Sequence, residues 1–295
     1  MNKQDKITGC IIGGAIGDAV GGYYESQKPP IDFSYNHIMQ LSDDTQLTLA
    51  TCEALSESDR VDPSIVAEHF VKWYKAGNLT GLGASTAKAL KDLLYGGHWA
   101  LVGRKGERAA GNGAAMRIAP VALYLKTCAE ADRQIIRDVS RITHHNEEAY
   151  AGAVAVALAI QASFENSWED HTSLFSYIIK NLPDCLLRDR MDLIIKDKNN
   201  SSLEKIADIY GCSGYVVESV PLAILGAGYV KEYGYQDMIE RLIQLGGDTD
   251  TIASIAGQIA GALIGKSNLP DSMINLLPFR NHIDLIIKKF VSAVP

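Results

Sequence analysis

Two short acidic stretches carry the residue types that hold a hard cation. The first is Gly246-Gly247-Asp248-Thr249-Asp250-Thr251: the glycines let backbone approach closely, the aspartates offer carboxylate oxygens, and a threonine opens an apolar helix running to Gly265. The second, Ser42-Asp43-Asp44-Thr45, uses the same residue types about two hundred positions upstream. If the fold joins them, Asp43, Asp44, Asp248 and Asp250 repel one another by several kcal/mol and their pKa values rise. Two divalent cations would neutralise that charge in full. Oxygen donors alone, with the Ser42 and Thr251 hydroxyls as neutral additions, favour Mg²⁺ or Mn²⁺ over Zn²⁺. Taken by itself, the upstream stretch is also what an ordinary capped helix over Gln46 to Ser56 looks like.

Other chemistries are a poor match. Counted from Asp248, the fifth loop position is Ile252 and the twelfth is Ile259, so a calcium EF-hand does not fit. No H-E-x-x-H pair, Ser/His/Asp nucleophile elbow or P-loop is present, and no strand and G-x-G spacing mark a dinucleotide fold. A net charge of -7 argues against a nucleic-acid surface, so a phosphate-bearing ligand would be met by backbone amides, helix N-termini or metal. The five scattered cysteines predict a reducing, cytoplasmic setting. Ile7-Thr8-Gly9-Cys10 has a lipoprotein look, but only six mostly polar residues precede it, so export is not expected. Asp18 and Gln258 interrupt the longest apolar runs, and no membrane span is expected.

The elements that must position the two stretches read as helices. From Asp5 to Glu25, Gly9, Gly13, Gly17 and Gly21 recur at every fourth position, a stripe that lets another helix pack very close. Packing leaves Asp18 and Glu25 unexplained. Further helices are expected from Pro63 through Tyr74, over Ala84 to Leu94, Met116 to Lys126, Arg133 to Ile142 and Glu147 to Ala162, then from Gly211 to Val230 and Gln236 to Leu245. Residues 165–202 read as an inserted helical flap with shorter helices. With 47% hydrophobic residues, few credible strands and no fixed repeat, residues 1–295 form one compact, orthogonal multi-helix all-α domain in this reading.

Six patterns occur in a fixed order: Gly17-Asp18-Ala19-Val20-Gly21 ending in Glu25; Ser42 to Thr45; Gly111-Asn112-Gly113-Ala114-Ala115-Met116-Arg117; Thr143-His144; Ser213-Gly214-Tyr215-Val216-Val217-Glu218; and Gly246 to Thr251. In this order they resemble the ADP-ribosylglycohydrolase family, of the dinitrogenase-reductase-activating glycohydrolase and ADP-ribosyl-acceptor hydrolase type. The resemblance runs from Ile7 to Gly265.

What the resemblance implies is a dinuclear Mg²⁺ or Mn²⁺ cleft that binds ADP-ribose, with Ser42, Asp43, Asp44, Asp248, Asp250 and Thr251 as metal ligands. Glu25, Asp44 and Asp250 would be the catalytic residues. Asn112, Gly113, Ala114 and Ala115 would meet the diphosphate, with His144, Ser213, Gly214 and Tyr215 on the nucleotide side. The implied activity is removal of ADP-ribose from an arginine- or serine-type linkage on a modified protein, by cleavage at the distal ribose anomeric carbon. Several arginine-directed members carry an aspartate where this chain has Gly81. Two alternatives stand beside this reading. One is a non-catalytic ADP-ribose binder or an immunity protein that blocks an ADP-ribosyltransferase toxin; the other is a hydrolase of free ADP-ribose derivatives.

Overall fold

The stripe of glycines decides the centre of the molecule. In the computed structural model, which describes residues 2–35, 39–125, 127–197 and 202–295, helix α1 (Lys3–Tyr24) lies antiparallel against α14 (Thr249–Ile264). A Cβ placed on Gly9, Gly13, Gly17 or Gly21 would come within 2.1 to 2.5 Å of the carbonyl oxygens of Gly261, Gly257, Ala253 and Thr249 respectively. Backbone therefore meets backbone over four turns, and any larger side chain would force the pair apart. Both helices are buried on nearly every face. That burial is why their sequences are apolar all round instead of amphipathic.

Between these two, the chain adds α2 (Asp43–Ser56), α3 (Pro63–Lys75), α4 (Ala84–Leu94), the short α5 (Trp99–Val102), α6 (Ala119–Leu125), α7 (Glu130–Arg141), α8 (Glu147–Glu165), α9 (His171–Asn181), α10 (Leu186–Lys196), α11 (Leu203–Tyr210), α12 (Val216–Gly228) and α13 (Val230–Ile243). Past α14 come the short α15 (Asp271–Ile274) and α16 (Arg280–Ala293), which packs on α2. The alanine-rich α8 and the apolar α12 flank α14. The sheet content of the described residues is one parallel pair, β1 (Arg104–Lys105) on β2 (His144–His145). The expected all-α single domain is what forms.

Several boundaries differ from expectation, each for a local reason. Helix α2 begins at Asp43, with Ser42 as its N-cap, so both aspartates sit in the first turn. Helix α6 starts at Ala119, three residues late, because Asn112–Ala114 is a 3₁₀ turn and Pro120 suits a helix start. Its expected end, Lys126, lies outside the described residues, as do 198–201 of the expected flap. The rest of that segment forms α9 and α10, seated on the core through the buried Leu174, Phe175, Ile178, Leu187 and Met191. Helix α12 begins at Val216 and carries Pro221 inside it. Helices α5, α11, α15 and α16 fall outside the expected set, α5 within the polar stretch from Gly96 to Gly113. No described helix is long and apolar enough to cross a membrane.

Candidate metal centre

Because α1 and α14 run antiparallel in contact, the C-terminal end of one meets the N-terminal end of the other. Glu25 caps the end of α1, Asp248 caps the start of α14, and Asp250 follows in its first turn. One oxygen each from Glu25, Asp248 and Asp250 falls within a 4.8 Å cluster. The turn that delivers Asp248 needs both of its glycines. Gly246 and Gly247 hold φ near +70° and +72°, where side chains are strained, and Cβ atoms there would meet Gln27 O at 2.7 Å and Cys212 O at 2.3 Å. Two backbone bonds fix the turn: Ser26 N–H donates to Gly247 O, and Asp248 N–H donates to Cys212 O, both at 2.9 Å.

Helix α2 brings the other acidic stretch to the same place. Thr251 Oγ1 donates to Asp44 Oδ2 at 3.2 Å, and Ser42 Oγ lies 3.2 Å from the same oxygen. The other oxygen, Asp44 Oδ1, is buried without a hydrogen-bond partner. A carboxylate oxygen withdrawn from water and unpartnered is what a cation site leaves behind when the protein alone is considered. Asp43, Asp44 and Asp250 are 6%, 1% and 8% exposed, so their charges are not screened by solvent.

Desolvation first, and then the neighbouring carboxylates, push all of these acids up. Asp43 rises to about 8, with Asp18 and Asp250 as its charged neighbours and Arg117 opposing. Asp250 rises to about 7, after desolvation chiefly through Asp248. Asp44 is driven well above the carboxylate range, and Asp248 is raised by burial while the Asn112 amide pulls it back. Glu25, exposed at the mouth, is raised by partial desolvation and by the Asp250 charge. Acids buried this close together are either protonated or compensated by positive charge. The donors are all hard oxygens, which fits Mg²⁺ or Mn²⁺.

The residues expected on the ligand side form a second layer. Residues 212–216 pair with the loop before α6: Asn112 N–H donates to Gly214 O at 3.1 Å, Val216 N–H to Ala110 O at 3.0 Å, and Gly111 bridges Tyr215. Gly214 also faces the cluster, since a Cβ there would stand 3.7 Å from Asp248 Oδ2. Asn112 does not point outward; its Nδ2 donates to Asp248 Oδ2 at 2.5 Å and to Ser219 Oγ at 3.1 Å, which orients a cluster carboxylate. Ala114 and Ala115 are 1% and 0% exposed, so they can offer backbone but no side-chain contact. Ser213 Oγ donates to Glu218 Oε2 at 2.6 Å, and the same oxygen accepts from Ser213 N–H at 3.1 Å, which rigidifies the turn.

His144 is buried beneath the Gly111 to Gly113 turn, where Cβ atoms on Gly111 and Gly113 would meet its ring at 3.2 and 2.7 Å. Its Nδ1 is 2.7 Å from Thr143 Oγ1. Burial, with Arg117 and Arg104 nearby, lowers its pKa to about 3, so the ring is neutral at physiological pH. Arg117 lies at the floor, 0% exposed, bonded to Gly113 O and to Thr143 Oγ1, with its guanidinium 5.1 Å from the Phe70 ring centre. Sequence reading assigned no role to Arg117 or Asp18. The available signal was a charge set in an apolar run, which a fold must pair once it buries it. A groove of about 830 Å³ beside α3, lined by Lys72, Lys75 and Trp99, contains none of the clustered acids.

The fold is an all-α domain whose two central helices pack side by side and antiparallel, with an oxygen-only acidic cluster where the end of α1 meets the start of α14. The chain belongs to the ADP-ribosylglycohydrolase family, whose sequence profile matches residues 1–294. It is 27% identical to a Danio rerio protein named ADP-ribosylhydrolase ARH3, over 90% of this chain and 84% of the relative. It is 28% identical to a Serratia proteamaculans protein named ADP-ribosylarginine hydrolase Tri1, over 99% of this chain and 80% of the relative. A solved structure described as an ADP-ribosylglycohydrolase-related protein complex has the same fold, with a TM-score of 0.79 over 99% of each chain at 21% identity.

Proposed function

We propose that this protein is a metal-dependent hydrolase that removes ADP-ribose from modified protein side chains. The observation that carries the reading is the junction of Ser42 to Asp44 with Asp248 to Thr251 through the Thr251–Asp44 bond, with Glu25 beside Asp248 and Asp250. Relatives named ADP-ribosylhydrolase and ADP-ribosylarginine hydrolase support it.

Ser42, Asp43, Asp44, Asp248, Asp250 and Thr251 would hold two Mg²⁺ or Mn²⁺ ions, which supply Lewis acidity and hold ribose hydroxyls when bound. Cleavage at the distal ribose anomeric carbon develops oxocarbenium character, and the carboxylates around the cleft stabilise it electrostatically. Glu25 is the general acid–base residue. It alone of the clustered acids is exposed, so it reaches both substrate and water, and partial desolvation with the Asp250 charge raises its pKa, the direction that favours proton transfer by a carboxyl. Gly111 and Gly113 make room for the His144 ring beneath their turn, and the backbone amides of that turn would meet the diphosphate in this reading. Neutral His144 and the Ser213 to Tyr215 turn line the nucleotide side in this reading.

The direct test is release of ADP-ribose from proteins carrying arginine-, serine- or cysteine-linked modification, with Mg²⁺ or Mn²⁺ supplied. Release from at least one linkage, lost on chelation, is expected. No release from any of them under either metal overturns the proposal.

A further inference from the structure

Asp18 is an acid in the middle of the glycine-striped helix α1, and it is 0% exposed. A buried carboxylate needs compensation, and among the described residues this one receives it from the N-terminus of α2. Its Oδ1 accepts from Ser42 Oγ at 2.7 Å, its two oxygens share Ser42 N–H at 3.1 Å each, and Oδ2 accepts from Thr45 N–H at 3.1 Å. Ser42 and Thr45 bracket the two aspartates of α2.

The hydroxyl of Ser42 has one proton and two acceptors in reach, Asp18 Oδ1 at 2.7 Å and Asp44 Oδ2 at 3.2 Å. The shorter contact takes the proton. One lone pair of Oγ then accepts from Asp44 N–H at 3.2 Å, which leaves a second on an oxygen that lies 3.2 Å from the cluster's Asp44 Oδ2. Without Asp18, the proton turns toward Asp44 and stands where a cation would be coordinated.

We propose that Asp18 is a positioning residue that takes the Ser42 hydroxyl proton and thereby presents the Ser42 oxygen to a divalent cation. The inference rests on the reading of Ser42 as a metal ligand. Asp18 acts from α1, so the same helix that delivers Glu25 also sets the donor face of α2.

The test is a double-mutant cycle on the full chain, with Mn²⁺ binding measured by calorimetry and thermal unfolding measured in chelator. Asp18→Asn keeps the shape but replaces one acceptor oxygen with a donor, and so redirects the Ser42 proton. Loss of Mn²⁺ affinity by about 10- to 100-fold is expected, the range typical for outer ligand-orienting groups. Ser42→Ala should lose a similar factor, and adding Asp18→Asn to it should change affinity by less than about twofold, because the two act through one oxygen. A helix-capping role alone predicts the opposite pattern: lower unfolding temperature in chelator, with Mn²⁺ affinity unchanged or with losses that add. Either of those results overturns the inference, as does wild-type affinity in Ser42→Ala. Asp18→Ser, smaller and without an amide, carries the same expectation and replaces Asp18→Asn if that variant aggregates. If the unmodified chain takes up no Mn²⁺ or Mg²⁺, the metal reading falls and this one with it; if it binds normally and only the cycle fails, the metal reading stands.

Discussion

Thr251 Oγ1 donates to Asp44 Oδ2 at 3.2 Å, a bond between residues 207 positions apart. It joins the first turn of α14 to the first turn of α2 and so brings the two acidic stretches into contact. In the absence of a cation the junction is strained by like charge. Asp44→Asn should therefore unfold at a higher temperature than the parent in chelator at neutral pH, because a neutral amide replaces a carboxyl that burial and its neighbours force to take up a proton on folding. In the parent, saturating Mn²⁺ should stabilise by about 2.7 kcal/mol at a hundredfold excess over Kd, and Asp44→Asn should lose that shift. Scanning fluorimetry with and without metal reads both signs at once.

Stability of the metal-free chain should fall as pH rises. Burial, with the neighbouring carboxylates, pushes Asp18, Asp43 and Asp250 up to about 6, about 8 and about 7 in the folded chain, against 3.8 for a solvated aspartate as in the unfolded chain. Between those limits the folded state binds more protons than the unfolded one, so its stability is greatest below about pH 4 and is lost through about pH 6 to 8. Added Mg²⁺ should reverse the slope, because the carboxylates must be ionised to bind it. Unfolding temperatures across this range in chelator and in Mg²⁺ check the prediction, and parallel curves would refute it.

Glu25→Gln should separate chemistry from metal binding. The side chain lies at the exposed edge of the cluster, so removing its charge leaves the Ser42 to Asp44 and Asp248 to Thr251 donors in place. Turnover should drop by about 10² to 10⁴, the range for loss of a general acid–base group, with Mn²⁺ affinity within a few-fold of the parent. An equal loss of both would mean that Glu25 is principally a ligand.

Gly17→Ala should damage the fold and the site together. Its Cβ would stand 2.1 Å from Ala253 O, a backbone contact that cannot swing aside, so α1 and α14 must separate. A loss of about 1–3 kcal/mol is expected, accompanied by weaker Mn²⁺ binding as Glu25 and Asp18 shift. Gly22→Ala is the control, because its new Cβ would meet only Asp250 Cβ at 4.0 Å. Denaturant melts of the two variants, each with a metal titration, distinguish packing from a general intolerance of alanine in α1.

The linear order of residues determined what is local. Four-residue glycine spacing required a close helix partner, the acid-and-hydroxyl stretches required a hard cation or protonation, and helix-period apolar residues required an all-α domain. Local pattern also placed α4 at Ala84–Leu94, because its boundary signals are adjacent in sequence. Tertiary structure decided the rest. A glycine stripe is open to any smooth helix, and only packing of the whole core selected α14, whose Gly257, Gly261 and Ala253 accept it. That choice sets Glu25 beside Asp248 and Asp250, turns Asn112 onto Asp248, and buries Asp18 against Ser42. Hydrogen-bond partners of this kind are separated by many residues, and no periodicity encodes them. They follow from which backbones can approach one another, a property of the assembled core.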